Sequence, residues 1–414
     1  MQTVWKAPLW RAAKERARLG GVTMTDAPAK CPYCGSNYII GRGHAYLKGR
    51  PVCIHHYQCK VCGKYISQYE PVPIRKKLVD LENFEYQNQP VPEQNWSAYT
   101  EAQNNEKRLL MEILFELLSG VKIEVPKSKL GRHYSDMKDM CFALALKTYT
   151  RLSSRRLDSD LEKVQQDKFI VAVPHFTTLM DWLEKEEMTT LLLELIKLSA
   201  LPMKGIETQY AIDSTGFSSN QFGRWFSYKY NEETVCRNWV KAHIMCGTKT
   251  NMVTSVELTR AHGADSPELA PLVEKTCKDF NVKEVSADKA YLSKKNLQVI
   301  VDSGALPFIP FKSNSISRGK GAIWKKMWFY SREKPQEFFE HYHRRSNVES
   351  TFSMIKQKFG KDVVTKNFQS QTNEVLLKIL CHNICCLIHE YYENNIESYY
   401  STEQTQNEVI LHLA

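Results

Sequence analysis

TQYAIDST, residues 208–215, is where the texture of this chain changes from helical to β. The segment reads as a strand that carries Asp213 in its interior or at its end. Working outward, VKAHIMCGT (240–248) and NMVTSVELT (251–259) read as two further strands, closely spaced. A helix is expected over Pro267–Phe280, with Asp265 or Ser266 as its cap. VKEVSADKAY (282–291) reads as a fourth strand ending near Asp288. KKNLQVIVDSG (294–304) then gives a helix ending in glycine, and LPFIPFKS (306–313) a fifth strand. Three adjacent strands followed by alternating helix and strand predict an α/β fold, a mixed sheet with flanking helices.

Upstream, Leu109, Leu110, Ile113, Leu114, Leu117 and Leu118 recur at helical spacing between about Thr100 and Gly120. More helices are expected over Asp136–Thr150, from Ser153 or Ser154 to Gln166, after Pro174, and over Met188–Ser199. Short helices separated by polar turns fit a helix-turn-helix unit or a plain helical packing domain. Residues 66–100 are rich in Pro, Gln and Asn without steady periodicity, which is the texture of a linker. The organisation expected is therefore a basic lead at 1–26, a cysteine module at 27–65, the linker, and a helical domain at 101–204. The α/β domain then occupies 205–390 and a tail 391–414.

Composition narrows the class. At 43% hydrophobic and 25% charged, the 414 residues are those of a globular protein rather than a disordered one. No run of about 18 uncharged apolar residues is present, so no membrane span is expected. The basic start MQTVWKAPLWRAAKERARLG lacks the apolar core of a secretory leader, and a cytoplasmic location is expected. The net charge of +10 favours a polyanionic partner, though modestly.

Of the 12 cysteines, four form two pairs, CPYCG (31–35) and CKVCG (59–63). Each pair can chelate through a tight turn, and the following glycine supplies the positive φ such a turn needs. Cys31, Cys34, Cys59 and Cys62 together make a four-thiolate zinc site that staples a module too small to hold its own core. Cys53, His55 and His56 are close enough in sequence to serve as alternative ligands.

Asp213 and Asp288, both on strands of one sheet, need pairing, hydrogen bonds or a metal to be tolerated there. A third carboxylate comes from EFFEHYHRRSNVESTFSMIKQKFG, residues 337–360. Read as one helix, it puts Val348, Phe352, Ile355 and Phe359 on an apolar strip, with Tyr342, Arg345, Glu349 and Lys356 in an arc beside it. On its own this arc is also what a solvated face with an Arg345–Glu349 pair would show. The spacing Tyr342, Arg345, Glu349, Lys356 resembles the Y-(2)-R-(3)-E-(6)-K signature of insertion-sequence DDE transposases. IDSTGF around Asp213 and SADKAYLS around Asp288 are similar to the two aspartate blocks of that family, in the same order. The resemblance covers about residues 205–390, and KILCHNICCLI (378–388) looks like the closing helix of the family's core.

The resemblance implies a ribonuclease-H-like core and a DNA transposase that cleaves the ends of its element to 3′ hydroxyls and joins them to target DNA. It implies two divalent ions, Mg²⁺ or Mn²⁺, held by Asp213, Asp288 and Glu349, beside a structural Zn²⁺ in the ribbon. Arg345, Lys356 and Tyr342 would contact the DNA end, and Lys289, beside Asp288, is either a further phosphate contact or a solvent-facing lysine. The expected partner is double-stranded DNA, terminal repeats and target, in a nucleoid-associated complex of at least a homodimer. A transposase-derived DNA-binding protein without catalysis is the alternative. The interval before Glu349 leaves no room for the β-rich insertion of some relatives. Asp265 is a rival for the second carboxylate, though its place before a helix suits a cap. Trp225, Trp239 and FKSNSISRGKGAIWKK (311–326) could lie along the DNA path.

Overall fold

A computed structural model describes residues 30–46, 52–71, 95–124, 136–219, 239–317, 321–394 and 409–412. The chain divides into two units, Met1–Pro92 and Glu93–Ala414. Trp225 and the lead at 1–26 lie outside the described residues.

In the first unit, β1 (Ile39–Tyr46), β2 (Val52–Cys59) and β3 (Tyr65–Pro71) form an antiparallel meander in that order. Strand β3 runs past the boundary expected at residue 65 and into the stretch read as linker. Among the described residues its apolar cluster is Cys31, Tyr57, Cys59 and Ile66. Such a small described cluster would be reinforced by a metal bridging the cysteines.

The second unit opens with α1 (Trp96–Ser119), started by the Asn95 side chain accepting from the Ala98 N–H. A short strand, β4 (Val121–Glu124), follows. Helices α2 (Met137–Thr150), α3 (Asp158–Gln166), α4 (Phe176–Leu183) and α5 (Glu186–Ala200) come next. Asp136 caps α2 as its sequence position suggests, whereas α3 starts at Asp158 without help from Ser153 or Ser154.

The sheet contains β5 (Gln209–Ser218), β6 (Trp239–Gly247), β7 (Val253–Arg260), β8 (Glu284–Ala287) and β9 (Leu306–Phe308). Helix α6 (Leu269–Asp279) lies between β7 and β8, and α7 (Lys294–Asp302) between β8 and β9. The spatial order is β7-β6-β5-β8-β9, with β5–β6 and β6–β7 antiparallel and β5–β8 and β8–β9 parallel. This β-β-β-α-β-α-β succession is the ribonuclease-H-like order expected from the sequence. Strand β9 is shorter than LPFIPFKS suggested, because Pro310 cannot donate to a ladder.

After β9 come α8 (Ala322–Glu333), α9 (Pro335–His343), α10 (Ser346–Phe359) and α11 (Phe368–Asn394). No strand occurs among the described residues between β9 and α10, so the β-rich insertion is absent from them. A last strand, β10 (Val409–His412), pairs in parallel with β4, placing order in the stretch read as a tail.

Alternation along β5 sorts the core. Ala211 and Phe217 join the cluster built with α10, α11 and the upstream helices, whereas Tyr210 and Ile212 join the one built with α6 and α7. The upstream helices therefore share one core with the sheet. Asn383 of α11 fastens that union, accepting from the Val253 N–H at 2.9 Å and donating to the Val253 carbonyl at 2.7 Å.

Candidate active site and cysteine cluster

Strand register builds the site. Ile212 of β5 is opposite Ala287 of β8 in a parallel pair, so the next residues, Asp213 and Asp288, are neighbours at the end of β8. A ligand position at the carboxyl ends of parallel strands follows from this geometry. Asp213 shares its face of β5 with Thr215 and Phe217, the face covered by α10.

Helix α10 meets that face through Val348, Phe352, Ile355 and Phe359, all buried as expected. Asn347 donates to the Thr248 carbonyl and the Thr351 hydroxyl to that of Asn347 at 3.0 Å, fixing the helix's first turn. Glu349 lies in that turn, where the helix dipole favours a carboxylate, and its side chain is 58% exposed.

The sequence reading of 337–360 as one helix is corrected by the structure. The helix ends at His343 and restarts at Ser346. The Arg345 N–H reaches the Tyr342 carbonyl at 2.9 Å and the Val348 N–H the Arg345 carbonyl at 3.0 Å, a tighter turn that swings Arg345 inward. Arg345 donates to Asp213 Oδ2 at 2.6 Å and to Glu349, joining the sheet carboxylate to the helix carboxylate. Lys356, two turns on, donates to the Thr215 hydroxyl at 2.5 Å and lies 5.3 Å from the Phe217 ring centroid. Tyr342, half-buried, stacks edge-on with Phe339 at 6.1 Å, close enough to Arg345 to feel its charge. Lys289 is exposed beside Asp288.

Burial pushes the Asp213 carboxyl up from its usual range; the Ser214 N–H and Arg345 oppose the rise, and Asp288 and Glu349 add to it. Burial likewise lowers Lys356 and raises Tyr342. For Arg345 burial works against the charge, yet Asp213, Tyr342 and Glu349 outweigh it and the net shift is upward. Three carboxylates and one guanidinium thus interact electrostatically in one place.

Asp265 is excluded from that place by the face it occupies. It makes no side-chain cap, contrary to the sequence expectation. Instead it accepts from the Ser214 hydroxyl at 3.0 Å and pairs with Lys241, on the opposite face of β5 from Asp213. His243 sits 3.5 Å from it, held by Thr259 at 3.0 Å and Tyr291 at 3.3 Å. Burial drives His243 down to about 4, so Lys241 is the charge that balances Asp265 near neutrality. Sequence reasoning missed Lys241 and His243, although two polar residues at i and i+2 in an apolar strand mark a shared polar face. Trp239 is half-buried against His262, their rings 5.9 Å apart. In 311–326, the carbonyls of Ile316 and Ser315 accept from the indoles of Trp324 and of Trp328 just beyond, at 2.9 and 3.1 Å.

In the first unit Cys31, Cys34, Cys59 and Cys62 bring their sulfurs within 4.8 Å of one another. Among the described residues this is the group of three or more potential ligands drawn that close. The Sγ separations are 3.7 Å for Cys31–Cys62 and 3.6 Å for Cys34–Cys59. Tetrahedral thiolates about 2.3 Å from one zinc would stand roughly 3.8 Å apart, so the cluster has zinc dimensions. Gly35 and Gly63 take φ of +72° and +70°, the freedom the two chelating turns demand. His56 turns to Ser67 at 3.2 Å instead of to the cluster, and nothing is described of the Cys53 and His55 side chains.

A mixed sheet in this order, with carboxylates at adjacent strand ends and a third from a packed helix, defines the ribonuclease-H-like class. Residues 204–384 match the family described as the transposase DDE domain. A solved structure, the cryo-electron microscopy structure of a piggyBac transposase synaptic complex with hairpin DNA, aligns over 69% of this chain and 75% of its own. The identity is 12% and the TM-score 0.36, a likeness too slight to carry ligand or mechanism. No helix of the described residues is long and apolar enough to cross a membrane.

Proposed function

We propose that the protein is a DNA transposase that binds its element's ends, cleaves them to 3′ hydroxyls and joins these to target DNA by phosphoryl transfer. One observation carries the reading: β-strand register makes Asp213 and Asp288 neighbours, and Arg345 ties Asp213 to Glu349. The donors are hard oxygens, and the Arg345 guanidinium already lies between two of them, so the place accepts positive charge. The residues therefore fit two divalent ions, Mg²⁺ or Mn²⁺, held by Asp213, Asp288 and Glu349. Such ions, when bound, activate an attacking oxygen and stabilise a leaving one.

The chain's own groups do the rest. Asp213 and Asp288 are fixed by the sheet and Glu349 by a packed helix turn, so the three cannot drift apart. Arg345 orients two of them and can turn its remaining N–H groups to a phosphate beside the scissile bond. Lys356, desolvated and anchored on Thr215, places a second cation, Tyr342 lines the entry, and exposed Lys289 contacts a phosphate. Zn²⁺ on Cys31, Cys34, Cys59 and Cys62 holds the ribbon of 27–65, and the helices of 101–204 contribute DNA contacts. Joining two ends requires at least two active centres, hence a homodimer or larger, working at the nucleoid in the cytoplasm.

The test uses DNA containing this gene with its native flanks, Mg²⁺ or Mn²⁺, and the Asp213→Asn variant. Metal-dependent 3′ ends at fixed flanking positions, lost in the variant, are the expected result. Binding without cutting by both proteins would replace this reading with that of a catalytically inactive DNA-binding descendant.

A further inference from the structure

A cleft of about 780 Å³ opens beside the C-terminal end of α10, and Lys356 on its wall donates to Thr215, two residues along β5 from Asp213. It is lined by five cations, Lys147, Arg151, Lys356, Lys361 and Lys378, against two acids, Asp362 and Glu374. The inner charges are committed. Lys378 is buried and donates to the carbonyls of Gly360 and Asp362, at 3.1 and 2.5 Å. Glu374 accepts from the Val364 N–H at 3.0 Å and from the Thr365 hydroxyl at 3.2 Å. Together they pin the turn after α10 as the cleft wall, and the Glu374 charge is absorbed by that backbone.

Lys147, Arg151 and Lys361 are differently placed. Among the described residues, none of the three forms an ion pair. Arg151 and Lys361 are exposed and Lys147 is half-exposed. Arg151 also follows α2 in a left-handed conformation, φ +57°, where glycine is the comfortable residue and a bulky side chain is strained. Its guanidinium hangs over Gly360. Uncompensated cations that share a cleft, one kept at a cost in backbone strain, are what a polyanion site looks like.

We propose that this cleft is a track for the DNA phosphate backbone, leading to the carboxylates past Lys356, with Lys147, Arg151 and Lys361 as phosphate contacts. It rests on the transposase reading for the identity of the polyanion. Such contacts position the strand without reading sequence.

The experiment measures anisotropy of a labelled duplex taken from the gene's flanks over a salt series, for wild type, Arg151→Gly and Lys361→Gln. Each variant is expected to bind several-fold more weakly and to lose about 0.9 from the slope of log K against log salt. Arg151→Gly is also expected to melt at or above the wild-type temperature, because glycine suits its φ, so a binding loss cannot be unfolding. Unchanged slopes in both variants, with a wild type that binds and cuts, would overturn the track and leave the transposase reading standing. Reduced slopes with a wild type that never cuts would uphold the track as a DNA site and sink the catalytic reading. A wild type that does not bind the duplex at low salt overturns both.

Discussion

Asp213 carries the conflict on which the site depends. Burial raises its carboxyl more than the Ser214 N–H and Arg345 lower it, so the folded protein holds its proton to higher pH than the unfolded chain does. A carboxyl raised in this way gives stability fully present below its unfolded value, about 4, and lost as pH climbs through the folded one. Ionised Asp213 is thus a net cost to folding near neutrality. Asp213→Asn is therefore expected to raise the melting temperature at pH 7 in the presence of a chelator. That gain should vanish below about pH 4, where both proteins carry a neutral side chain. Melts at several pH values check it; an Asn variant less stable at pH 7 would mean that the Arg345 pair outweighs burial. The same residue was legible in sequence because an aspartate in an apolar strand needs a partner. Arg345's bridge was legible only as an i,i+4 pair with Glu349, since its reach to β5 depends on a break in the helix.

At the scale of elements, periodicity located every strand of the sheet and most helices, since each buries a face whose spacing the sequence must respect. It failed where two geometries carry nearly the same spacing. The turn between α9 and α10 keeps helix-like φ values, −59° and −56° at Arg344 and Arg345, so no glycine or proline marks it. Asp265 failed for another reason: the donors it accepts from, Ser214 on β5 and Lys241 on β6, are distant in sequence. A third long-range tie joins α1, α2 and α10. Glu106, buried on α1, takes the Tyr149 hydroxyl at 2.7 Å and the Lys358 ammonium. Removing the carboxylate charge leaves Lys358, mostly withdrawn from water, without its anion. Glu106→Gln is expected to cost about 2 kcal/mol, discounted for the part of Lys358 that remains wet. Chemical denaturation of the full chain measures this, and Lys358→Met added to Glu106→Gln should recover much of the loss. Additive losses in the double variant would show that the two side chains do not act as a pair.

For the whole molecule, the division into Met1–Pro92 and Glu93–Ala414 sets how it should come apart. Among the described residues the second unit holds three buried apolar clusters, and the larger two span its sheet and helices. The first holds one, and half of it is the sulfur-bearing Cys31 and Cys59. If zinc sits among its four sulfurs as proposed, metal binding supplies much of the folding free energy of such a module. Removing zinc with a strong chelator should abolish the structure of the ribbon and leave the thermal transition of the second unit in place. Cys31→Ser should act in the same direction without chelator. Calorimetry of the full chain, with zinc content measured on the same samples, distinguishes the outcomes. A single transition that shifts as a whole on zinc loss would mean the two units melt as one cooperative body. An unshifted profile with zinc fully retained in Cys31→Ser would mean that another ligand completes the site. The expected pattern, a lost minor transition beside an unchanged major one, follows from cores that close within their own units.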